Sequence, residues 1–131
     1  MTQKKYTYAL GKRKTAIASV RLFEWEWESM INWVKYQEYI KRPDLFSVLL
    51  APLKLLSSLD KYYFVVKVQW SWEASQVGAI RLGISRALAV IDPASKKSLR
   101  KATFITRDSR KVERKKPWLH KARKATQWSK R

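Results

Sequence analysis

Residues 61–92, KYYFVVKVQWSWEASQVGAIRLGISRALAVID, place a β-strand before a long amphipathic helix and so decide the fold class. Residues 61–69 are rich in aromatic and β-branched side chains, which is typical of a strand, and residues 70–73 form a connection. Residues 75–92 carry apolar side chains at spacings of three and four residues, which predicts a helix with Ser75 as its N-cap. The apolar stripe consists of Val77, Ile80, Ile84, Leu88 and Ile91.

Four residues of this helix lie outside the apolar stripe. Gly78 and Gly83 have no side chain, so another backbone can approach the helix closely there, and Arg81 and Arg86 are polar. Pro93 ends the helix. Residues 94–102 are predicted to form a second, short and basic helix.

The segment before residue 61 predicts shorter elements. Residues 6–23 are typical of strand, turn and strand, with residues 11–14 (GKRK) as a basic bend. The stretch 24–33, EWEWESMINW, contains no glycine, so we expect a longer loop and not a two-residue hairpin, with a short strand at residues 30–32. The inward face of the first hairpin is predicted to carry Ala16, Ala18, Val20 and Leu22.

Two prolines divide the segment between the hairpin and residue 61. Residues 34–42 predict a short helix ended by Pro43, with Val34, Tyr36 or Gln37, and Ile40 facing inward. Asp44 is a candidate cap for the next segment, which Pro52 is expected to interrupt.

The net charge of +19 is concentrated at one end of the chain. Residues 96–131 hold fifteen Lys/Arg against two Asp/Glu, a net charge of +13, whereas residues 1–95 have a net charge of +6. The apolar residues after Thr106 follow neither a strand nor a helix period, so this segment needs a partner to become ordered. Such a basic arm suits a polyanion, and Trp118 and Trp128 among the cations can stack on bases. The alternative is a solvated, disordered end.

Other classes of protein are poorly supported. The chain has no cysteine, no signal peptide and no apolar run of about 20 residues, so disulfides, export and a membrane span are not expected. His120 is the only histidine and lies among cations, which disfavours metal binding. Glu24, Glu26 and Glu28 are weak metal candidates without a fourth ligand. No nucleophile-and-base signature or glycine-rich phosphate loop is present, so we expect no enzyme activity, cofactor or metal.

Three stretches carry a resemblance that goes beyond composition. They are residues 8–16 (YALGKRKTA), residues 79–88 (AIRLGISRAL), and the tail, with residues 104–116 (FITRDSRKVERKK) and 121–131 (KARKATQWSKR). Together they resemble the ninth-numbered small-subunit ribosomal proteins of bacterial and organellar type. The resemblance implies an α+β protein with a two-layer ribosomal βαβ-type domain over residues 1–103 and an extended basic tail over residues 104–131.

The same resemblance implies a non-catalytic role in the head of the small subunit. The domain would pack on small-subunit rRNA and neighbouring head proteins, and the tail would reach the peptidyl-site tRNA and contact its anticodon stem-loop. No membrane partner is implied. The expected location is the ribosome, with a plastid favoured over a bacterial cytoplasm.

The implied contact residues lie in the hairpin and the tail. The residues expected to bind RNA are Lys12, Arg13, Lys14, Arg107, Arg110, Lys111, Arg114, Lys115, Lys116, Lys121, Arg123 and Lys124. The tip expected to contact tRNA consists of Trp128, Ser129, Lys130 and Arg131.

Six tryptophans depart from the family pattern, because each stands where the resembling loops carry glycine: Trp25, Trp27, Trp33, Trp70, Trp72 and Trp118. Glycine serves such loops by accepting positive φ and close backbone approach. Either the loops are rebuilt and pack their indoles on RNA or a partner, or the deduced sequence is wrong at these sites.

Two other functions compete with the ribosomal one. A free-standing nucleic-acid chaperone or compaction protein would have the same composition, and co-sedimentation with small subunits would separate the two. A cationic membrane-surface protein would need a basic amphipathic helix, which residues 107–131 lack.

Overall fold

A five-stranded sheet with helices packed on one face forms the folded part of the chain. The computed structural model describes residues 5–25, 27–111 and 113–124. The strands are β1 (Tyr6–Arg13), β2 (Ala16–Glu24), β3 (Met30–Ile31), β4 (Val34–Lys35) and β5 (Tyr62–Gln69). The helices are α1 (Tyr36–Tyr39), α2 (Asp44–Leu55), α3 (Glu73–Ile91) and α4 (Lys96–Lys101), with a 3-10 turn at Pro93–Ser95 before α4. The predicted α+β class is therefore confirmed.

The strand order is β1-β2-β5-β3-β4. All neighbours are antiparallel except β3 and β5, which run parallel and are joined through β4, α1 and α2. A parallel pair needs such a crossover, so this part of the sheet is a βαβ unit. The core lies between the sheet and helices α2 and α3, and its largest buried side chains include Leu22, Leu49, Phe64, Ile80 and Ile84.

Strands β1 and β2 form the predicted hairpin. Its inward face is as expected, since Ala16, Ala18, Val20 and Leu22 are all buried. The basic bend is shorter than predicted, because the strands pair as far as Arg13 and Ala16 and leave only Lys14 and Thr15 in the turn. Gly11 is thus a buried strand residue and not a bend residue.

Strands β3 and β4 are joined by a turn that the sequence did not predict. The longer loop is found between β2 and β3, but Asn32 and Trp33 then form a two-residue hairpin loop between Ile31 and Val34. Both loop residues have positive φ, 49° and 68°. Positive φ at both central positions is the signature of a type I′ turn, for which Asn-Gly is the favoured pair. The expectation failed because a tryptophan stands in the glycine position.

Three further expectations for residues 34–56 are wrong. Val34 is exposed in β4 and not inward in a helix, although Ile40 is buried as predicted. Asp44 is the first residue of α2, and its side chain makes no capping bond. Helix α2 continues through Pro52 to Leu55, and Pro52 itself is buried beside Leu53. Near the end of a helix a proline removes one hydrogen bond, and burial of its ring offsets part of that loss.

Helix α3 matches its prediction except at its start. It begins at Glu73, so Ser75 is a buried residue of the first turn and not the cap. An acidic residue in the first turn favours this earlier start through the helix dipole. By length and composition alone, α3 is long and apolar enough to cross a membrane, but 61% of its apolar window is buried. The core helix of a soluble protein has the same properties.

Glycines let strand β1 and helix α3 approach each other closely. A Cβ atom on Gly11 would overlap the Ala79 carbonyl oxygen and lie 2.7 Å from the Gly83 backbone nitrogen. A Cβ atom on Gly83 would overlap the Val20 side chain. The expected backbone approach at Gly83 is therefore present, and its partner is the basic hairpin.

Residues after α4 form no helix or extended strand within 104–111 and 113–124. Phe104 and Ile105 nevertheless pack against the core. The division into a domain at residues 1–103 and a tail at residues 104–131 stays a prediction, since residues 125–131 lie outside the described part of the chain.

We predict that Gly11→Ala lowers the free energy of unfolding by about 1–3 kcal/mol, because its methyl group meets rigid backbone atoms. Gly78→Ala is the matched control, since its methyl group would meet the Arg13 side chain, which can move. Urea unfolding measures both. Equal stability of the Gly11 variant and the parent chain would contradict the close approach.

Candidate nucleic-acid interface

An open cleft of about 960 Å³ lies where the turn of the β1–β2 hairpin meets the loop after β5 and the first part of the tail. Its lining residues are Leu10, Lys12, Lys14, Thr15, Ala16, Ile17, Trp70, Ser71, Arg86, Arg107 and Lys111. Five of these are cations and none is acidic. The cleft therefore has the charge of an anion-binding surface.

Four predicted RNA-binding residues meet in this cleft although they are far apart in sequence. Lys12 and Lys14 come from the hairpin, and Arg107 and Lys111 come from the tail. The packing of β1 on α3 brings these two segments close together in space. Convergence of cations from two segments creates a denser positive field than either segment has alone.

Arg86 is a cleft residue that was absent from the predicted contact set. Its Nη1 atom donates a 2.8 Å hydrogen bond to the Leu10 carbonyl, which ties α3 to β1 at the cleft. The sequence contained a signal, because Arg86 lies off the apolar stripe of a mostly buried helix. That signal did not specify which strand Arg86 would meet.

Arg13 does not line the cleft but turns inward over Gly78 of α3. Its Nη2 atom lies 3.7 Å from the Asp108 carboxylate. The neighbouring Arg81 guanidinium stacks over the Phe104 ring at 5.3 Å, and burial followed by repulsion from Arg13 lowers the pKa of Arg81. Gly78 makes room for the Arg13 side chain, and the two arginines together link the hairpin, α3 and the start of the tail.

Three arginines of this region have a donor without a partner. The Nε atoms of Arg13, Arg81 and Arg107 are buried and make no hydrogen bond within the described part of the chain. Buried polar atoms are nearly always paired in folded proteins. Each Nε–H group is therefore a buried donor without an acceptor in the described part of the chain.

A family model described as ribosomal protein S9/S16 matches residues 11–131, which is nearly the whole chain. The chain belongs to the ribosomal protein S9/S16 family. It is thus a small-subunit ribosomal protein that binds rRNA and acts in the ribosome beside other ribosomal proteins. This family is structural and not enzymatic.

The remaining tail cations of this S9/S16 protein are divided between internal pairs and solvent. Glu113 pairs with Lys116 at 2.5 Å and with Arg123 at 2.9 Å. Within residues 113–124, the exposed cations without an ion pair are Arg114, Lys115, Lys121 and Lys124. The predicted tRNA-contacting tip, Trp128 to Arg131, lies outside the described residues.

The described residues of this S9/S16 protein contain no cluster of three or more His, Cys, Asp or Glu side chains that could hold a metal. His120 is exposed, and its backbone nitrogen donates a 2.9 Å hydrogen bond to the Lys124 carbonyl. Glu26, one of the three alternating acids, lies outside the described residues. The positive surface of the cleft is therefore the candidate site for binding.

Asp108 and Arg110 form the most extensive ion pair of the tail. Arg110 donates from Nε at 3.0 Å and from Nη2 at 2.6 Å, and its backbone nitrogen donates a third bond at 3.0 Å. These Arg110 bonds hold the pKa of Asp108 well below its usual range, and Asp108 in turn raises the pKa of Arg110. Arg110 is thus paired within the chain while its side chain stays exposed, and its contact with RNA stays a prediction.

We predict that Arg110→Gln raises the pKa of Asp108 toward its ordinary value of about 4. Because folding depresses this pKa, the pair stabilises the fold above about pH 4 and loses that effect as the pH falls through the folded value. An NMR titration of the Asp108 carboxyl carbon measures the change. Arg114→Gln is the control, and an equal shift in both variants would contradict a specific pair.

Proposed function

We propose that the folded domain binds the rRNA backbone in the cationic cleft. The observation that supports this is the convergence of Lys12, Lys14, Arg86, Arg107 and Lys111, with no carboxylate among the residues that line the cleft. Phosphates of an RNA strand are spaced closely enough for such a cluster to contact several at once. Each contact releases condensed counterions, which supplies the free energy of binding.

The buried arginine donors support the same proposal. Arg107 lines the cleft and also has an unpaired Nε atom. Phosphate oxygens are strong acceptors that bind guanidinium groups through two parallel hydrogen bonds. Because this Nε atom is buried, an RNA phosphate would complete its pairing only if the side chains that cover it moved, and a partner without acceptor oxygens would leave the donor unsatisfied.

We predict that Lys12→Gln with Lys14→Gln lowers the affinity for small-subunit rRNA and reduces the slope of log K against log salt concentration by about 1 for each lost contact. The matched control is Lys41→Gln with Lys54→Gln, which removes the same charge from exposed residues outside the cleft. Binding is measured at several salt concentrations. Equal slopes in both double variants would overturn the assignment of the cleft.

We further propose that the tail continues from the cleft to the peptidyl-site tRNA and that Lys130 and Arg131 contact its anticodon stem-loop. The support is the resemblance of residues 121–131 to the family tail, together with the density of cations that precede it. Arg107 and Lys111 anchor the start of the tail at the cleft in this proposal. The tip would then act on tRNA without being needed for attachment of the domain.

We predict that deletion of Lys130 and Arg131 leaves the protein in the small subunit but weakens retention of peptidyl-site tRNA. Charge-assisted hydrogen bonds contribute about 1.5–3 kcal/mol each before redundancy. Sedimentation measures incorporation, and filter binding measures tRNA retention. The control, Lys96→Gln with Lys97→Gln, removes the same charge from α4. Loss of incorporation in the deletion alone would make the tip an rRNA anchor and contradict the tRNA role.

No observation in the structure favours the alternative of a free-standing chaperone, and the same sedimentation experiment addresses it. A chain that remains free or DNA-bound in native extract would favour that alternative. The plastid location rests on the sequence alone and stays a prediction, which fractionation of native ribosomes would test.

A further inference from the structure

Four of the six loop tryptophans have backbone geometry that suits glycine. The φ angles are 113° at Trp25, 68° at Trp33, 70° at Trp70 and 69° at Trp118. Hydrogen bonds hold two of these loops in place. The Trp25 nitrogen donates to the Lys61 carbonyl at 2.9 Å, and the Gln76 side chain donates to the Trp70 carbonyl at 3.1 Å. Side chains with a Cβ atom clash in this region of φ, and glycine does not.

Two of the loops are turn types whose sequence preferences are well defined. Asn32 and Trp33 occupy the centre of the β3–β4 hairpin, where a type I′ turn favours Asn-Gly. Residues 116–119 form a turn closed by a 3.3 Å bond from the Leu119 nitrogen to the Lys116 carbonyl, with Pro117 and Trp118 at its centre. Pro followed by positive φ is the pattern of a type II turn, which requires glycine at the second central position.

The indoles themselves have no packing role in the described structure. Exposure of the four side chains ranges from 67% at Trp70 to 91% at Trp118. Indoles are normally retained for the large apolar area that they bury. Where an ordinary residue replaces glycine at positive φ, Asn or Asp is favoured because its short polar side chain tolerates this geometry. Tryptophan at all four positions has no such rationale.

The three glycines that remain in the sequence have a different role. Gly11, Gly78 and Gly83 all lie at positions where a Cβ atom would meet a neighbouring element, and none has positive φ. Random substitution of glycine would affect positions inside and outside the loops and would introduce different residues. Here only loop positions are affected, and each carries tryptophan. A systematic cause that acts on some glycine codons and spares others fits this pattern.

We infer that the functional protein carries glycine at positions 25, 33, 70 and 118. One triplet, UGA, is read as tryptophan in some genetic codes and as glycine in others, so a single decoding difference accounts for all four positions. Trp128, which lies where the resembling tails carry another aromatic residue, is not part of this set.

Glycine at position 70 changes the candidate interface. Trp70 and Ser71 line the cleft, and both have positive φ. Without the indole, the loop presents its peptide groups beside Lys12 and Lys14. An RNA backbone could then approach more closely than it can with an indole in that place.

Peptide mapping of the chain from native extract tests the inference. Peptides that contain glycine at all four positions are expected, together with an intact mass reduced by at least four tryptophan-to-glycine differences. The gene is expected to carry the same triplet at each position. Tryptophan in the peptides spanning positions 33 and 118 would overturn the inference, whether or not the chain is in the ribosome.

A stability comparison tests the structural reason independently. The triple variant Trp25→Gly, Trp33→Gly and Trp70→Gly is expected to unfold at higher urea concentration than the chain as written. Trp72→Gly is the matched control, because Trp72 is equally exposed but has a φ of −83°. If the urea midpoint of the triple variant were no higher than that of the control, the argument that positive φ favours glycine at these positions would be contradicted.

Discussion

The contact between the backbones of β1 and α3 is the constraint on which the other features depend. Gly11 and Gly83 let the strand lie directly on the helix, and no side chain could be inserted between them. Because the two elements are 60 or more residues apart in the chain, their contact closes the largest part of the fold. It also sets where Arg86 bonds to Leu10 and where Arg13 enters over Gly78. The cationic cleft is therefore a product of core packing and not of tail sequence alone.

The sequence predicted the elements whose side chains follow a clear period. Strand β5, helix α3 and the inward face of β2 all follow from patterns of apolar residues, because their faces are buried on one side. The turn at Asn32 and Trp33 was not predicted because a type I′ turn is recognised by an Asn-Gly pair, and tryptophan stands here in the glycine position. Pro52 led to a wrong prediction for another reason. A proline was expected to interrupt α2, but burial of the Pro52 ring offsets part of the loss of one hydrogen bond, and the helix continues.

The candidate interface was predictable in composition but not in arrangement. The sequence indicated that Lys12, Lys14, Arg107 and Lys111 were available to an anion, yet nothing in it placed the hairpin beside the tail. Arg13 and Arg110 show that charge does not predict contacts within the chain, since Arg13 extends over Gly78 of α3 and Arg110 is paired with Asp108. Which cation faces a partner is decided by three-dimensional packing, and a list of basic residues cannot contain that information.

The uncovered face of the sheet has a consequence for the protein before it reaches its partner. Tyr6, Phe23 and Tyr63 form a contiguous row of rings on the face opposite α3. Tyr63 is buried in this row, whereas Tyr6 and the nearby Tyr8 are exposed. Such a surface favours self-association of a small domain, but copies that each carry +19 repel one another. Newly made chains are thus kept apart by the same charge that draws them to RNA. Salt that screens this repulsion would lower their solubility, so the colloidal behaviour of the free protein is coupled to its ionic surroundings.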